Sequence, residues 1–325
     1  MPRYLGRGRC GGHITLLFTV SDESEDPIQQ GSIGAGLCVE DGVEIVAYGE
    51  DGEFGLGVTF ESIEGDSDLY EVVLDALVSE VPEVSEIAWG LSVTISLPPA
   101  QGFGVSASGA IASAMAFQRA VGVPYEESLR RAYSLAHKVE RSRSTGLGDV
   151  TALAAGGVER RLVAGSPYHG SDLRNGPGHA EGWSLGTSVV LAWREGSGKH
   201  TSAYIDDLGW KQSISESGSR QMELLSQGKW GPERWSDLIE SADSFSRDSG
   251  LFEDSSRHEL VTMAASSVTG AGFGEELVVM LCMLGESVVI VPLNPEEQGG
   301  WIERVIAELQ KAGLNGMETS VAGLS

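Results

Sequence analysis

Two stretches of this 325-residue sequence combine residue types and spacings that could do chemistry, and the first is a glycine-rich loop. Pro98-Pro99-Ala100-Gln101-Gly102-Phe103-Gly104-Val105-Ser106-Ala107-Ser108 follows an alternating run and precedes an alanine-rich one. Glycines let a backbone adopt positive φ and come close to a ligand. A helix that starts there offers free N–H groups and the positive end of its dipole, which together suit a phosphate. The Ser106 and Ser108 hydroxyls could bind a phosphate oxygen or a metal ion. The same residues equally describe a tight turn before a Ser-capped helix, so the loop alone leaves both readings open. Other phosphate motifs are excluded: there is no GxxxxGK[ST], and Gly102, Gly104 and Gly109 do not have GxGxxG spacing.

The second stretch begins with His137 and Glu140, which share a helix face at i, i+3. A glycine-rich turn follows, Ser144-Thr145-Gly146-Leu147-Gly148-Asp149. Phosphoryl transfer needs an in-line acceptor, a divalent cation and a group to orient the attacking hydroxyl. One carboxylate for the cation and one for the hydroxyl meet that need, and magnesium accepts carboxylate and hydroxyl oxygens. Glu140 with Ser106 fits the first role and Asp149 the second. On chemistry alone, Glu140 is equally a solvated acid at a helix end, and Asp149 an N-cap.

The elements that must position these residues follow from periodicity. Trp89, Leu91, Val93, Ile95 and Leu97 alternate with small or polar residues, which predicts a half-buried strand ending at Pro98-Pro99. Buried helices are predicted over 106–121 and 126–139, with a further helix over 68–79. Residues 14–20 read as a buried strand. Residues 34–40 and 43–48, joined by Asp41-Gly42, read as a hairpin. Residues 165–183 are rich in turn formers and mark a boundary between domains at 1–175 and 176–325. Beyond it, strands are predicted at 187–193, 287–292 and 317–321, and helices at 217–225, 232–247, 257–267 and 295–312. Strands mixed with helices without strict βαβ alternation indicate an α+β architecture.

Composition narrows the partners. The net charge is −25, and only 5 of the 22 basic residues are lysine. Such a surface repels nucleic acid and anionic membranes, and fits a salty cytosol or plain solubility equally. No apolar run reaches the roughly 20 residues of a membrane span. No signal-peptide pattern opens the sequence, so a cytoplasmic protein is expected. Cys10, Cys38 and Cys282 are far apart and form no CxxC pair, which excludes a disulfide framework or a cysteine zinc site.

The loop resembles PxxxGLGSSAA, the nucleotide motif of the GHMP kinases, with Pro98, Gly102, Gly104 and Ser106 on its proline, glycines and second serine. Phe103 and Val105 replace the leucine and first serine. Glu140 and Asp149 fall where that family carries its metal-binding glutamate and catalytic aspartate. Finer motifs resemble the archaeal pantoate kinases: Gly12-His13-Ile14-Thr15, Gly31 to Gly36, Thr145 to Val150, and Gly156-Gly157 followed by Arg161. Met283-Leu284-Gly285 stands for the third motif, Gly270 to Gly274 being a decoy, and Ile33 replaces a usual polar residue. The resemblance implies a two-domain GHMP kinase fold with an inter-domain nucleotide and substrate cleft. It implies ATP and Mg²⁺ as cofactors, and residues 98 and 102–108 as the ATP site. Phosphorylation of (R)-pantoate at its C4 hydroxyl, a step of coenzyme A synthesis, is the implied reaction. Arg161 is the candidate for gripping the substrate carboxylate, with Ser32, His13 and His137 lining the pocket. The rivals are a kinase for mevalonate or homoserine and an inactive binding protein. A homodimer is the expectation for a soluble enzyme.

Overall fold

The computed structural model describes residues 3–195, 208–283, 285–297 and 299–324. The first part of the chain runs β1 (Tyr4–Phe18), β2 (Gly34–Asp51), β3 (Gly55–Phe60), α1 (Ser67–Val78), β4 (Ile87–Ile95), α2 (Val105–Ala120), α3 (Tyr125–Ser142), α4 (Asp149–Ala155) and β5 (Val158–Val163). A short pair, β6 (Tyr168–His169) and β7 (Arg174–Asn175), leads to β8 (His179–Trp183) and β9 (Ser188–Trp193). Then come α5 (Leu208–Leu225), α6 (Trp235–Asp248), α7 (Ser255–Gly270), β10 (Leu277–Cys282), β11 (Ser287–Pro292), α8 (Ile302–Lys311) and β12 (Asn315–Ser320).

The expected hairpin at Asp41-Gly42 is corrected: residues 34–51 form one strand, antiparallel to β1 along its length. Gly42 lies opposite Gly11 while Val39 lies opposite Gly12, so Glu40 and Asp41 are extra residues in a bulge. The bulge also marks where β2 changes its second partner. Residues 43–51 pair with β4, and residues 34–37 pair with β5. β4, which feeds the glycine-rich loop, and β5, which carries Glu159 and Arg161, thus flank the same edge of β2, opposite β1, with Val321 bridging to Val39 between them. β3 lies parallel on β4, and β8 extends β5. β8 therefore belongs to the first sheet, although the sequence boundary at 175 puts it in the second half.

Helix α2 lies on this sheet and is almost wholly buried. Close approach is possible because small residues meet. A β-carbon at Gly8 would fall 1.9 Å from the Ala112 carbonyl, and one at Gly6 2.1 Å from that of Ala116. Ile111 and Phe117 are fully buried, each stabilising the packing by roughly 2–3 kcal/mol. The start of α2 is thereby fixed against β1.

The second sheet is antiparallel with order β10-β11-β9-β12. α6 and α7 pack beside β10, and α8 against β9 and β12. The helix expected over 295–312 begins later, at Ile302; the Pro295 carbonyl instead accepts a hydrogen bond from the Thr187 hydroxyl at 2.7 Å. Gln298 of that expected helix lies outside the described residues, as does Leu284 of the third motif. After β12 the chain returns to the first sheet, where Ala322 N–H donates to the Cys38 carbonyl. All three cysteines are free and buried.

Candidate active site

The glycine-rich loop leaves β4 and turns through Ala100 (φ 60°), Gly102 (φ 81°) and Gly104 (φ 64°) before α2 begins at Val105. Gly104 caps the helix in the left-handed conformation, and a β-carbon there would meet the backbone of His13 at 3.1 Å. Both facts demand glycine. The first N–H groups of a 16-residue helix are thus presented at the loop. Gly285 packs on the other side, with its N–H 3.0 Å from a β-carbon placed at Gly102, and Ser287 donates its hydroxyl to the Gln101 carbonyl. Gly285 of the third-motif segment thus packs on the glycine-rich loop.

A cavity of about 350 Å³ opens over this loop. Gly102, Phe103, Gly104, Val105, Ser106, Ser32, Glu140 and Asp149 line it. Met283 contributes from the far side. Within it, Ser106 donates its hydroxyl to Glu140 Oε1, and the Thr145 hydroxyl donates to the same oxygen at 2.9 Å. Burial pushes Glu140 up to about 7, and the Asp149 charge adds to the effect against the hydrogen bonds from Ser106 and Thr145. A β-carbon at Gly146 would fall 2.4 Å from Glu140 Oε2 and 2.9 Å from Asp149 Oδ2. Two carboxylates therefore converge on one glycine. Arg143 is the single basic side chain of the described lining, and it is paired with Asp66 at the mouth.

The Glu140 carboxylate and the Ser106 hydroxyl fit Mg²⁺, both being hard oxygen donors. No group of three or more His, Cys, Asp and Glu is placed to hold a metal among the described residues. A zinc-type cage is thus not formed there, whereas magnesium completes its shell with phosphate and water.

Asp149 opens α4 and keeps 22% of its side chain exposed to the cavity. Behind it lies a file of alternating charges. His13 Nδ1 is 2.7 Å from Asp149 Oδ1, His13 Nε2 is 3.0 Å from Glu159 Oε1, and Arg161 Nη1 is 3.3 Å from the same Glu159 oxygen. Burial alone would lower the His13 pKa, but the two carboxylates outweigh it and the value is raised. Burial likewise pushes Asp149 up. The hydrogen bond from His13, with the charges of His13 and Arg161, reverses this and holds the carboxyl below its ordinary value.

Several expected site residues stand elsewhere. His13 does not line the pocket; it is fully buried beneath Asp149. His137 donates Nε2–H to the Pro27 carbonyl at 3.0 Å, and burial pushes its pKa down to about 4, so it anchors the 27–29 turn as a neutral ring. Ser108 turns away from the cavity, donating to the Gly104 carbonyl at 3.0 Å and also to that of Gly11, which ties the helix start to β1. Pro98 and Ala107 are also absent from the lining, and Pro99 and Ala100 appear instead. Arg161 is fully buried just behind Ser32 and Gly148: a β-carbon at Gly148 would meet Ser32 Oγ at 2.2 Å and Arg161 Nε at 3.0 Å.

Sequence reasoning missed Glu159, Thr145 and Arg143. Glu159 had a signal, being an acid inside an otherwise strand-like segment after Gly156-Gly157. Thr145 opens the Thr145 to Val150 motif and Arg143 lies just before it, but neither residue type points to a role at that position.

Comparison with known proteins fits this geometry. Residues 70–157 match the family described as GHMP kinases N terminal domain. Pantoate kinase of Thermococcus kodakarensis is 34% identical over 160 residues, covering 48% of this chain and 51% of that protein. Pantoate kinase of Methanospirillum hungatei is 26% identical over 166 residues, covering 48% and 52%. These alignments span about half the length of either relative. Among solved structures, one described as a phosphotransferase related to the CoA biosynthesis pathway superposes with TM-score 0.74 at 24% identity, over 99% of this chain and 98% of that one. Mevalonate kinase of Staphylococcus aureus superposes with TM-score 0.60 at 15% identity, over 98% and 100%. The loop, the helix that follows it and the Glu140–Asp149 turn all fall inside the segment that matches the GHMP kinases N terminal domain, and the whole chain has the fold of these solved structures.

Proposed function

We propose that this protein transfers the terminal phosphoryl group of ATP to the C4 hydroxyl of (R)-pantoate. The observation that carries the reading is a single cavity where the Gly102–Ser106 loop, the Ser106–Glu140 pair and the exposed edge of Asp149 face one another. The loop and the α2 N-terminus hold the phosphates. Ser106 and Glu140 hold Mg²⁺, which supplies charge neutralisation at the phosphates when bound. Asp149 accepts a hydrogen bond from the acceptor hydroxyl. The hydroxyl oxygen forms the new O–P bond as the bond to the leaving ADP breaks, and its proton leaves along the hydrogen bond to Asp149. Arg143 is the one cation of the described lining able to reach an anionic group directly.

Support for pantoate is twofold. The two curated relatives bear that name, each aligned over 48% of this chain. The substrate's carboxylate also needs a cation, and Arg161 has Nε and Nη2 without hydrogen-bond partners among the described residues, beside Ser32 and Gly148. A guanidinium offering two free N–H groups grips a carboxylate bidentately. Arg161 has no exposure here, so the carboxylate reaches it only when Ser32 and Gly148 part. A cytoplasmic location and a homodimer belong to the same reading; among the described residues no helix is long and apolar enough to cross a membrane.

The test is ADP release with MgATP in the presence of pantoate, mevalonate, homoserine or no acceptor. Turnover with pantoate alone supports the proposal. Turnover only with another alcohol keeps the kinase and removes the substrate assignment. No turnover with any acceptor by folded protein favours a binding role.

A further inference from the structure

The buried file behind Asp149 holds an acid that the reaction as described above does not use. Glu159 lies on β5, fully buried, with one oxygen shared by His13 Nε2 and Arg161 Nη1 and the other without a partner among the described residues. A buried carboxylate is costly unless it answers another charge. We propose that Glu159 is a positioning residue for Asp149, acting through His13, which it holds with a proton on both ring nitrogens so that Nδ1–H is permanently aimed at Asp149 Oδ1. This rests on the kinase reading and deepens it.

The geometry supports the doubly protonated ring. Each nitrogen has a carboxylate oxygen as its nearest polar neighbour, at 2.7 Å and 3.0 Å. A lone pair on either would face a negative oxygen. The rival arrangement, a neutral ring whose Nε2 accepts from Arg161 Nη1, uses a longer contact of 3.3 Å and sets that lone pair against Glu159. His13 faces Asp149 from α4, Glu159 and Arg161 from β5, and Cys38 from β2. Cys38 is kept a neutral thiol, chiefly by burial. Two anions therefore outnumber one cation around the ring. The backbone of His13 is tied to the glycine-rich loop, its main-chain N–H donating to the Phe103 carbonyl at 3.0 Å. With His13 so held, one Asp149 oxygen is occupied and the other is turned to the cavity to receive the hydroxyl. Glu159 thus sets which oxygen works and keeps it anionic. The logic is that of a buried acid orienting an imidazole, transferred to a site where the imidazole orients a second acid.

The experiment joins spectroscopy to kinetics on the full chain. With ¹⁵N-histidine labelling at pH 7.5, one histidine, lost in His13→Asn, is expected to show both nitrogens at imidazolium positions. In Glu159→Gln that signature is expected to vanish at a lower pH. Kinetically, Glu159→Gln is expected to lower kcat about 10–100-fold with little change in KM, the range for partners that orient a functional side chain. The alkaline limb of the kcat profile moves to lower pH, because a ring with one carboxylate loses its proton sooner. In a His13→Asn background the same change costs little more. Should Glu159→Gln fold poorly, Glu159→Asp serves, with partial retention of rate and of the imidazolium signature. A neutral single-tautomer His13 in the wild type overturns the proposal, as do additive losses in the double variant or an unmoved pH profile. Absence of phosphoryl transfer by the wild type overturns the kinase reading instead, and the histidine spectrum still decides the proton positions.

Discussion

Replacing Glu140 by glutamine is expected to stabilise the fold while abolishing its chemistry. Glu140 is 3% exposed, and its pKa rises from 4.5 to about 7. A raised acid means that the folded state binds the proton more tightly than the unfolded chain. Stability from this group is therefore full below about 4.5 and is lost as pH rises to about 7. Two to three units at about 1.4 kcal/mol each give a penalty of about 3 kcal/mol at pH 8. Glutamine removes the charge and keeps an oxygen to accept from Ser106 and Thr145. Urea unfolding of both proteins in chelator, at pH 5 and pH 8, measures it. Near-equal stability at pH 5 and an advantage of about 3 kcal/mol for the variant at pH 8 are expected. Adding Mg²⁺ closes part of that gap by binding the wild type alone. A gap that does not change with pH, or a wild type that is the more stable at pH 8, refutes the reasoning.

Other perturbations follow from the same geometry. Asp149→Asn is expected to lower kcat roughly 10²–10⁴-fold with ATP binding kept, read from steady-state rates and nucleotide titration. Gly146→Ala puts a methyl 2.4 Å from Glu140 Oε2. The Mg²⁺ concentration for half-maximal rate is then expected to rise roughly 10–100-fold. Arg161→Lys is expected to raise KM for pantoate about 10–100-fold and leave KM for ATP near its wild-type value, since a point charge replaces a two-pronged grip.

The conformation of the glycine-rich loop was legible in the sequence because it is written in residue types. A strand of alternating burial, two glycines needing positive φ and a run of small residues leave few structures open. Glu140 and Asp149 were legible because they lie at helix ends nine residues apart, so local geometry brings them together. What failed was long-range or ambiguous. Asp41-Gly42 has turn chemistry, but pairing with β1, β4 and β5 overrode it and made a bulge. His13 and Glu159 stand 146 residues apart in sequence, so only the β1–β2–β5 pairing puts them in contact. His137 shares a helix face with Glu140, yet that face divides between the cavity and the 27–29 turn. Helical spacing gives the face and not what each residue on it will meet.

The most direct test of the central claim is the product itself. ³¹P NMR of a reaction holding MgATP, pantoate and the wild-type protein is expected to show a new phosphate monoester rising in step with ADP, coupled to the protons of the C4 methylene. The Asp149→Asn protein, folded and still binding ATP, is expected to show that signal only after far longer incubation. Equal production of the ester by both proteins, or ADP and inorganic phosphate with no ester from the wild type, would contradict phosphoryl transfer to pantoate at this site.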